Sequence, residues 1–390
     1  MRTYTDRFIL TPGPTEIPYR VRLALMKETT NPDLDPEFLE IYNDSRLMLR
    51  ELLGVKKGFL YIMAGEAMLG LDAALANTIV NETKTLIVGN GVFGEGFADL
   101  VKLYGGEPVL VENCEDCWRR SADPAVIERE LERHKDIEIV TLVHCDTPSG
   151  ILNNLEEISK VVKSFGALLI VDAVSSIGGV PINFDSLGID ILIGGSQKAL
   201  NLPAGLTILA ISNDAWDRIN RVSYRGFYLN LKLWREMLDE AGVFPYTMSD
   251  VLVYALHESL KLIMEEGPDN VYKRHLLARK ATWKAIEVMG LKPYPSSINY
   301  SSPTVTAFEV PRGINEAELR KMMWEKYGVM IGGSWGRLQG KVLRIGHMGV
   351  QASRIHLLIA ISTLARALAD LGYRLNIEEA IEALEEEFRD

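Results

Sequence analysis

The sequence predicts an α/β protein, with a large domain built on a doubly wound, mostly parallel sheet and a smaller α+β domain at the C-terminal end. Two observations carry this prediction. Short β-branched runs alternate with helix-like segments through the middle of the chain, and from about residue 251 the pattern becomes mainly helical. Such alternation is typical of a parallel sheet with helices on both faces, and its ligands bind beyond the carboxyl ends of the strands.

The elements are predicted in chain order as follows. Residues 1–20 carry several prolines and predict an extended arm or turn. Residues 21–265 form the predicted large domain and residues 266–390 the small one. Strands are predicted at residues 85–88, 108–111, 137–143, 167–171, 189–193, 206–211 and 304–310, and helices at residues 251–266, 270–289 and 377–388.

Composition excludes several classes of protein. The chain has 390 residues, of which 47% are apolar and 24% charged, so it can bury a large core and is not disordered as a whole. Its net charge of −11 argues against a general nucleic-acid binder. No apolar run approaches the ~18 residues of a membrane span. The first residues lack an apolar signal core, which predicts a cytoplasmic protein.

The three cysteines are too few for a disulfide framework. Cys114 and Cys117 form one Cys-x-x-Cys, but no second pair completes a zinc site. We therefore expect ordinary reduced thiols and no metal, with a redox pair as the alternative.

Two strand exits supply the most informative pair of residues. Asp172 follows an apolar run, and Lys198 follows Gly194 and Gly195 at the end of the next predicted strand. Each has an ordinary explanation, a helix cap or turn for the aspartate and a surface position for the lysine. In a parallel sheet, however, both side chains can converge on one ligand. Pyridoxal phosphate needs this pair, since a lysine forms the aldimine and a carboxylate keeps the pyridine nitrogen protonated.

A phosphate also needs a cradle, and the pattern of residues 64–75 is typical of a loop that enters a helix. Backbone N–H groups at a helix start bind phosphate without side-chain charge. A helix of small residues explains the same pattern, and Glu66 would repel a phosphate if its side chain pointed inward.

Residues 89–94 form a Gly-x-Gly-x-x-Gly motif after a predicted strand, and Glu112 follows at about the 20-residue spacing of a dinucleotide-binding fingerprint. This motif favours NAD or FAD as an alternative, which leaves Asp172 and Lys198 unexplained. With pyridoxal phosphate, the same loop is a strand exit that lays Phe93 on the ring. Arg344, inside an apolar run, either faces solvent at a sheet edge or clamps a substrate carboxylate.

With these residues in view, the chain resembles the class V aminotransferases of the fold-type I pyridoxal-phosphate enzymes, and within them the alanine–glyoxylate and serine–pyruvate branch. The resemblance runs from residues 11–15 to residues 343–346. Its most specific stretches are residues 195–205 and, upstream, residues 171–176. It implies a fold-type I transferase with pyridoxal 5′-phosphate as cofactor, acting as a homodimer with a shared active site.

The resemblance also implies a role for each matching residue. Lys198 would be the aldimine lysine and Asp172 the partner of the pyridine nitrogen. The other implied cofactor contacts are Phe93 and Val174 on the two ring faces, Thr147 at the ring oxygen, Gln197 with the backbone of Ala67 and Met68 at the phosphate, and Thr247 at the phosphate of the other subunit. Arg344 and Gly13 match substrate-binding positions. The chain departs from many relatives at residues 64–67, where they have Ser-Gly-Ser/Thr-Gly, and after Thr247, where they have prolines.

The implied reaction moves an amino group from alanine or serine to glyoxylate or pyruvate. Lys198 would move the proton at Cα, and Arg344 would orient the carboxylate. Transamination of ureidoglycine or an aminophosphonate shares the same motifs and stays open. A cysteine-desulfurase-like lyase would place a histidine at Phe93 and a cysteine near Arg344. An NAD-dependent oxidoreductase is the remote alternative, and a scaffold would have no use for the paired site.

Overall fold

The structure, a computed structural model, describes residues 7–224 and 226–389. Its strands are β1 (Phe8–Ile9), β2 (Phe59–Ala64), β3 (Lys84–Val88), β4 (Glu107–Val111), β5 (Ile137–Val143), β6 (Cys145–Asp146), β7 (Ile151–Leu152), β8 (Leu168–Asp172), β9 (Ile191–Gly195), β10 (Leu206–Ile211), β11 (Val305–Glu309), β12 (Val329–Met330), β13 (Gly332–Gly333) and β14 (Val342–Gly346). Its α-helices are α1 (Tyr19–Ala24), α2 (Pro36–Leu53), α3 (Met68–Ala76), α4 (Val92–Leu103), α5 (Pro124–Arg133), α6 (Leu155–Ser164), α7 (Asn213–Arg221), α8 (Leu231–Trp234), α9 (Asp250–Glu266), α10 (Pro268–Val288), α11 (Glu316–Tyr327), α12 (Arg354–Asp370) and α13 (Ile377–Glu386).

A seven-stranded sheet forms the centre of the molecule, in the order β2–β10–β9–β8–β5–β3–β4. Strands β9, β8, β5, β3 and β4 pair in parallel, whereas β10 runs antiparallel to both of its neighbours. The mostly parallel sheet predicted from the sequence is therefore confirmed. Its carboxyl edge gathers the loops that follow β2, β3, β5, β8 and β9.

The sequence pattern missed β2, which contains a single β-branched side chain. Residues 60–63 of this strand are fully buried, and the strand pairs with β10 along its whole length. Burial on both faces, rather than β-branching, makes this segment a strand. Because β2 ends at Ala64, it positions the loop that leads into α3.

A second hydrophobic cluster lies away from this sheet. It joins α10, α11, α12 and α13 to a three-stranded sheet of order β11–β14–β13. Leu10 is fully buried in the same cluster, and β1 pairs in parallel with β12. The helices and the strand predicted beyond residue 250 are present, while the domain boundaries themselves stay a prediction.

The N-terminal arm connects the two clusters at the edge where the loops gather. The backbone N–H of Gly346 donates to the carbonyl of Leu10 at 2.7 Å, and a Cβ on Gly346 would collide with the carbonyl of Thr11. A few residues on, the Thr15 hydroxyl donates to the carbonyl of Lys198 at 2.9 Å. The arm therefore lies between the strand that carries Arg344 and the loop that carries Lys198. No helix in the described ranges is long and apolar enough to cross a membrane.

The cysteine prediction is corrected by the structure. Cys114 and Cys117 form a disulfide, with their Cα atoms 5.0 Å apart, where reduced thiols were expected. The physical reason is a tight turn that leads into a 3₁₀ segment at Asp116–Arg119 and brings the two side chains together. Within this turn the Cys117 N–H points at the sulfur of Cys114, at 3.2 Å.

Candidate active site

Asp172 and Lys198 come together at the exits of β8 and β9. The two strands are parallel neighbours, with Asp172 opposite Ile193, and Lys198 follows three residues after β9 ends. Burial raises the pKa of Asp172 to about 6, and nearby Lys198 opposes this rise. Burial also lowers the pKa of Lys198 to about 8, helped by the positive charge of Arg344 and opposed by Asp172. Two opposite charges are thus held in one partly dry site.

The floor of this site is made by small side chains. One oxygen of Asp172 accepts the N–H of Val174 at 2.9 Å. A Cβ on Gly195 would lie 2.7 Å from the Cβ of Ala67 and 3.2 Å from Cγ1 of Val174. Gly195 therefore keeps open the space in which Ala67, Val174 and Asp172 meet.

The amine of Lys198 is oriented by the N-terminal arm. Its Nζ donates to the carbonyl of Pro12 at 2.8 Å. The next residue, Gly13, has φ +99°, and a Cβ there would lie 2.7 Å from the Lys198 amine. Glycine is required at this position for both backbone and steric reasons. The structure thus brings Gly13 to the lysine.

Phe93 is held by a residue that the sequence reasoning missed. The N–H of Phe93 donates to Oδ1 of Asp146 at 3.0 Å, and the hydroxyl of Ser149 donates to Oδ2 at 2.6 Å. Asp146 is buried, as is the adjacent Thr147. The available signal was a carboxylate just beyond the end of β5, the same strand-exit position that identified Asp172.

The glycines at residues 89–94 have a packing explanation. A Cβ on Gly91 would overlap Asp146, and one on Gly94 would lie 2.6 Å from the carbonyl of Val88. Glu112 is buried and pairs with Arg120 at 3.1 Å. The motif therefore builds a close turn against Asp146, which removes the structural basis for the dinucleotide alternative.

Arg344 is buried on β14 and does not face solvent at a sheet edge. Its Nε donates to the carbonyl of Gly333 at 2.6 Å, and its guanidinium carbon lies 5.6 Å from the ring centre of Trp335. Burial lowers its pKa to about 10, and Asp146 opposes that change. It lines a cavity of about 560 Å³ together with Gly13.

Trp335 is a second residue that the sequence reasoning missed. Its ring meets Phe93 edge-on with centroids 5.7 Å apart, besides its contact with Arg344. Trp335 therefore links the aromatic residue to the arginine. It lies in a loop with no periodic pattern, so no sequence signal could have found it.

The expected phosphate cradle differs from the prediction. The Glu66 side chain, although exposed, turns toward these donors: its Oε2 accepts the N–H of Met68 at 2.9 Å, and its Oε1 accepts a hydrogen bond from the amide of Gln197. The oxygen of the Gln197 amide is buried without a partner. Thr247 is exposed and lies 3.4 Å from Asp33 of its own chain. The structure brings Met68 and Gln197 together, but around a carboxylate.

Comparison with known proteins decides the family. Residues 111–346 match the family model described as aminotransferase class-V. The chain belongs to the class-V aminotransferases. This membership confirms the aminotransferase that the resemblance implied, and it leaves the oxidoreductase alternative without support.

Three relatives of this class-V aminotransferase are similar over almost their whole length. It is 35% identical to pyridoxamine–pyruvate transaminase of Mesorhizobium japonicum, covering 96% of this chain and 94% of that one. It is 32% identical to serine–glyoxylate aminotransferase of Methylorubrum extorquens, covering 94% and 92%. The crystal structure of ureidoglycine–glyoxylate aminotransferase from Bacillus subtilis superposes with a TM-score of 0.94, at 31% identity and 100% coverage of both chains. The predicted fold-type I transferase is thereby confirmed.

Proposed function

We propose that this class-V aminotransferase transfers an amino group from alanine or serine to glyoxylate or pyruvate on a pyridoxal compound bound at Lys198. The observation that carries the proposal is the pairing of Lys198 with Asp172, with Arg344 close enough to lower the pKa of the lysine. The names of the relatives support glyoxylate and pyruvate as acceptors. They also make pyridoxamine a second candidate donor, and ureidoglycine stays an alternative.

The predicted cofactor, pyridoxal 5′-phosphate, fits this site at one end. The resemblance places a pyridine ring between Phe93 and Val174, and the structure offers it a carboxylate at Asp172 and an amine at Lys198. When bound, such a ring supplies an electron sink for negative charge at the Cα of the amino acid. The phosphate end does not fit as it stands, because Glu66 already holds the Met68 N–H and the Gln197 amide, two of the donors assigned to the phosphate.

Lys198 and Asp172 hold the protons that the reaction needs. With a pKa of about 8, the amine of Lys198 exchanges protons readily near neutral pH, so it can take a proton from Cα and return one. The Pro12 carbonyl orients that amine. With a pKa of about 6, Asp172 is mostly charged at pH 7 and can hold a proton on the ring nitrogen.

Arg344 binds the carboxylate of the amino acid. Its Nε is already engaged by the carbonyl of Gly333, which fixes the plane of the guanidinium. The remaining N–H groups are those that form a two-point contact with a carboxylate. The Trp335 ring lies beside the guanidinium and meets Phe93, so the carboxylate would bind next to aromatic side chains.

Several further predictions belong to the same proposal. Thr247 is exposed on its own chain, which supports a contact with the phosphate end of a second subunit and hence a homodimer with a shared site. The roles of Thr147, Ala67 and Met68 as ring and phosphate contacts rest on the resemblance. The cytoplasmic location stays a prediction.

The test is a visible absorption spectrum of the purified protein incubated with pyridoxal 5′-phosphate, and separately with pyridoxal. We expect a yellow band that L-alanine bleaches and glyoxylate restores. Lys198→Ala should lose the band and the turnover, while the exposed control Lys160→Ala keeps both. Full turnover in Lys198→Ala would overturn the proposal, and a band that only another amine bleaches would overturn alanine as donor.

A further inference from the structure

We propose that the site takes a pyridoxal compound with a free 5′-hydroxymethyl group, so that pyridoxamine is an amino-donor substrate and pyridoxal its product. The inference rests on the proposed function, and it concerns the end of the site formed by Glu66, Met68 and Gln197. In this inference the pyridoxal compound is not a permanently held phosphate ester. It is an alcohol that enters as substrate and leaves as product.

Two hydrogen-bond donors at this end, the Met68 N–H and the Gln197 amide, are already used. Helix α3 begins at Met68, whose N–H is the kind of group that would bind a phosphate oxygen. It donates instead to Oε2 of Glu66 at 2.9 Å. The side-chain amide of Gln197 donates to Oε1 of the same carboxylate. One glutamate therefore stands where the resemblance places the phosphate.

Two acceptors at this end are still available. Gln197 is 6% exposed, and its Oε1 is buried with no partner. The Glu66 carboxylate has further lone pairs, because an ionised carboxylate has about four acceptor sites and two are recorded in use. A ligand that donates a hydrogen bond would give the buried Gln197 oxygen its missing partner. A hydroxymethyl group donates one, whereas the terminal oxygens of an ionised phosphate ester only accept.

Charge leads to the same conclusion. A phosphate monoester carries about −1.5 to −2 charges at pH 7, and close contact with a carboxylate repels it. Within the described ranges, Glu66 has hydrogen-bond partners but no ion-pair partner that would neutralise it. A neutral hydroxymethyl group meets no such repulsion.

The surrounding backbone holds Glu66 in this place. The hydroxyl of Thr207 donates to the carbonyls of Gly65 and Glu66, at 3.1 and 2.9 Å. The N–H of Gly65 donates to the carbonyl of Gly205 at 2.8 Å. A phosphate would have to turn the Glu66 side chain outward and break both of its hydrogen bonds, whereas an alcohol leaves them intact.

The reaction balances without an added oxidant. Pyridoxamine and a 2-oxo acid become pyridoxal and an amino acid: the CH₂–NH₂ carbon is oxidised to an aldehyde, and the keto carbon is reduced to CH–NH₂. The amino group and the oxygen change places, with water mediating the exchange. The Lys198 amine moves the proton between the two carbons, as in the proposed function.

The test compares pyridoxamine and pyridoxamine 5′-phosphate as amino donors. The full chain is first freed of any bound pyridoxal compound and is then given pyruvate as acceptor. We expect kcat/KM for pyridoxamine to exceed that for pyridoxamine 5′-phosphate at least tenfold. Glu66→Ser, which removes the carboxylate and frees the Met68 N–H, should shift this ratio at least tenfold toward the phosphate ester. Glu66→Gln, which keeps size and removes charge, should shift it less. Glu128→Ser, an exposed charge control on α5, should leave the ratio unchanged.

A binding measurement separates the possible failures. Fluorescence titration without pyruvate should show wild-type protein binding pyridoxamine more tightly than its phosphate, with the order reversed in Glu66→Ser. Wild type that binds and turns over the phosphate ester better than pyridoxamine would overturn this inference and leave the proposed function standing. A chain that turns over neither donor and gives no visible band with either aldehyde would overturn the proposed function itself.

Discussion

The N-termini of helices α3 and α4 are both met by a carboxylate, but in different ways. At α4, Asp146 comes from a different strand exit, is 1% exposed, and binds the N–H of Phe93 while Ser149 holds its second oxygen. At α3, Glu66 belongs to the loop that enters the helix and is exposed. The first carboxylate is part of the packed core of the site, and the second lies at its open end.

The difference shows that a glycine-containing turn from a strand into a helix can have two roles, one structural and one in ligand selection. Both loops are glycine-containing turns from a strand into a helix, and either would suit a phosphate by pattern alone. At α4 the positive helix end is permanently satisfied by a buried partner, so the loop supports Phe93. At α3 the partner is a side chain next to the ligand, so it selects what binds. Four experiments can break or sharpen this comparison.

The largest effect is expected for Asp146→Ala. It leaves the N–H of Phe93 and the hydroxyl of Ser149 without their buried acceptor, which costs about 3 kcal/mol of the free energy of unfolding. Urea unfolding of the ligand-free wild type and variant measures this loss of stability. A change below about 0.5 kcal/mol would show that Asp146 is not a structural part of this loop.

The next largest effect is a difference in stability between alanine substitutions at two glycines near the start of α4. Gly91→Ala places a Cβ against Asp146 and should destabilise the protein by about 2 kcal/mol, as overpacking does. Gly96→Ala, inside α4 with nothing within 4 Å of the new Cβ, should stabilise it by about 0.5 to 1 kcal/mol. Thermal unfolding compares the pair, and equal shifts would contradict the packing explanation of the motif.

A smaller effect is expected for Glu66→Ala in the absence of ligand. The variant loses an exposed contact at the start of α3, which is worth about 1 kcal/mol or less. Urea unfolding of the ligand-free variant measures this loss as well. If Glu66→Ala cost as much as Asp146→Ala, the two helix ends would be equivalent and the comparison would fail.

The smallest effect is electrostatic and appears in a pH profile. Only the neutral amine of Lys198 attacks an aldehyde, so the rate at which pyridoxal is captured should rise as pH passes through about 8. Glu66 raises the pKa of Lys198, so Glu66→Gln should move the midpoint to lower pH, by about half a unit or less.

Arg344→Gln is the control of opposite sign. Arg344 lowers the pKa of Lys198, so its removal should move the same midpoint to higher pH. Shifts of one sign in both variants would mean that the profile reports another group.

The strand exits were predictable from sequence because they depend on local pattern. Asp172, Lys198 and the glycines before the lysine each follow an apolar run, and parallel pairing of consecutive strands is a general rule. Arg344 was predictable as a functional candidate because an arginine in an apolar run must be paired if it is buried. The prediction that Cys114 and Cys117 are reduced was wrong, because a tight turn brings the two side chains together and composition does not show that turn.

The sequence alone determined the α/β class, the paired lysine and aspartate and the family, since these are written in hydrophobic periodicity and residues of fixed spacing. Only the tertiary structure decided what meets the two helix ends. Asp146 reaches Phe93 from 53 residues away in the chain, and Gln197 reaches Glu66 from 131 residues away. A side chain's direction and its partners are set by packing between distant segments, so no local pattern could show that Glu66 turns toward Gln197.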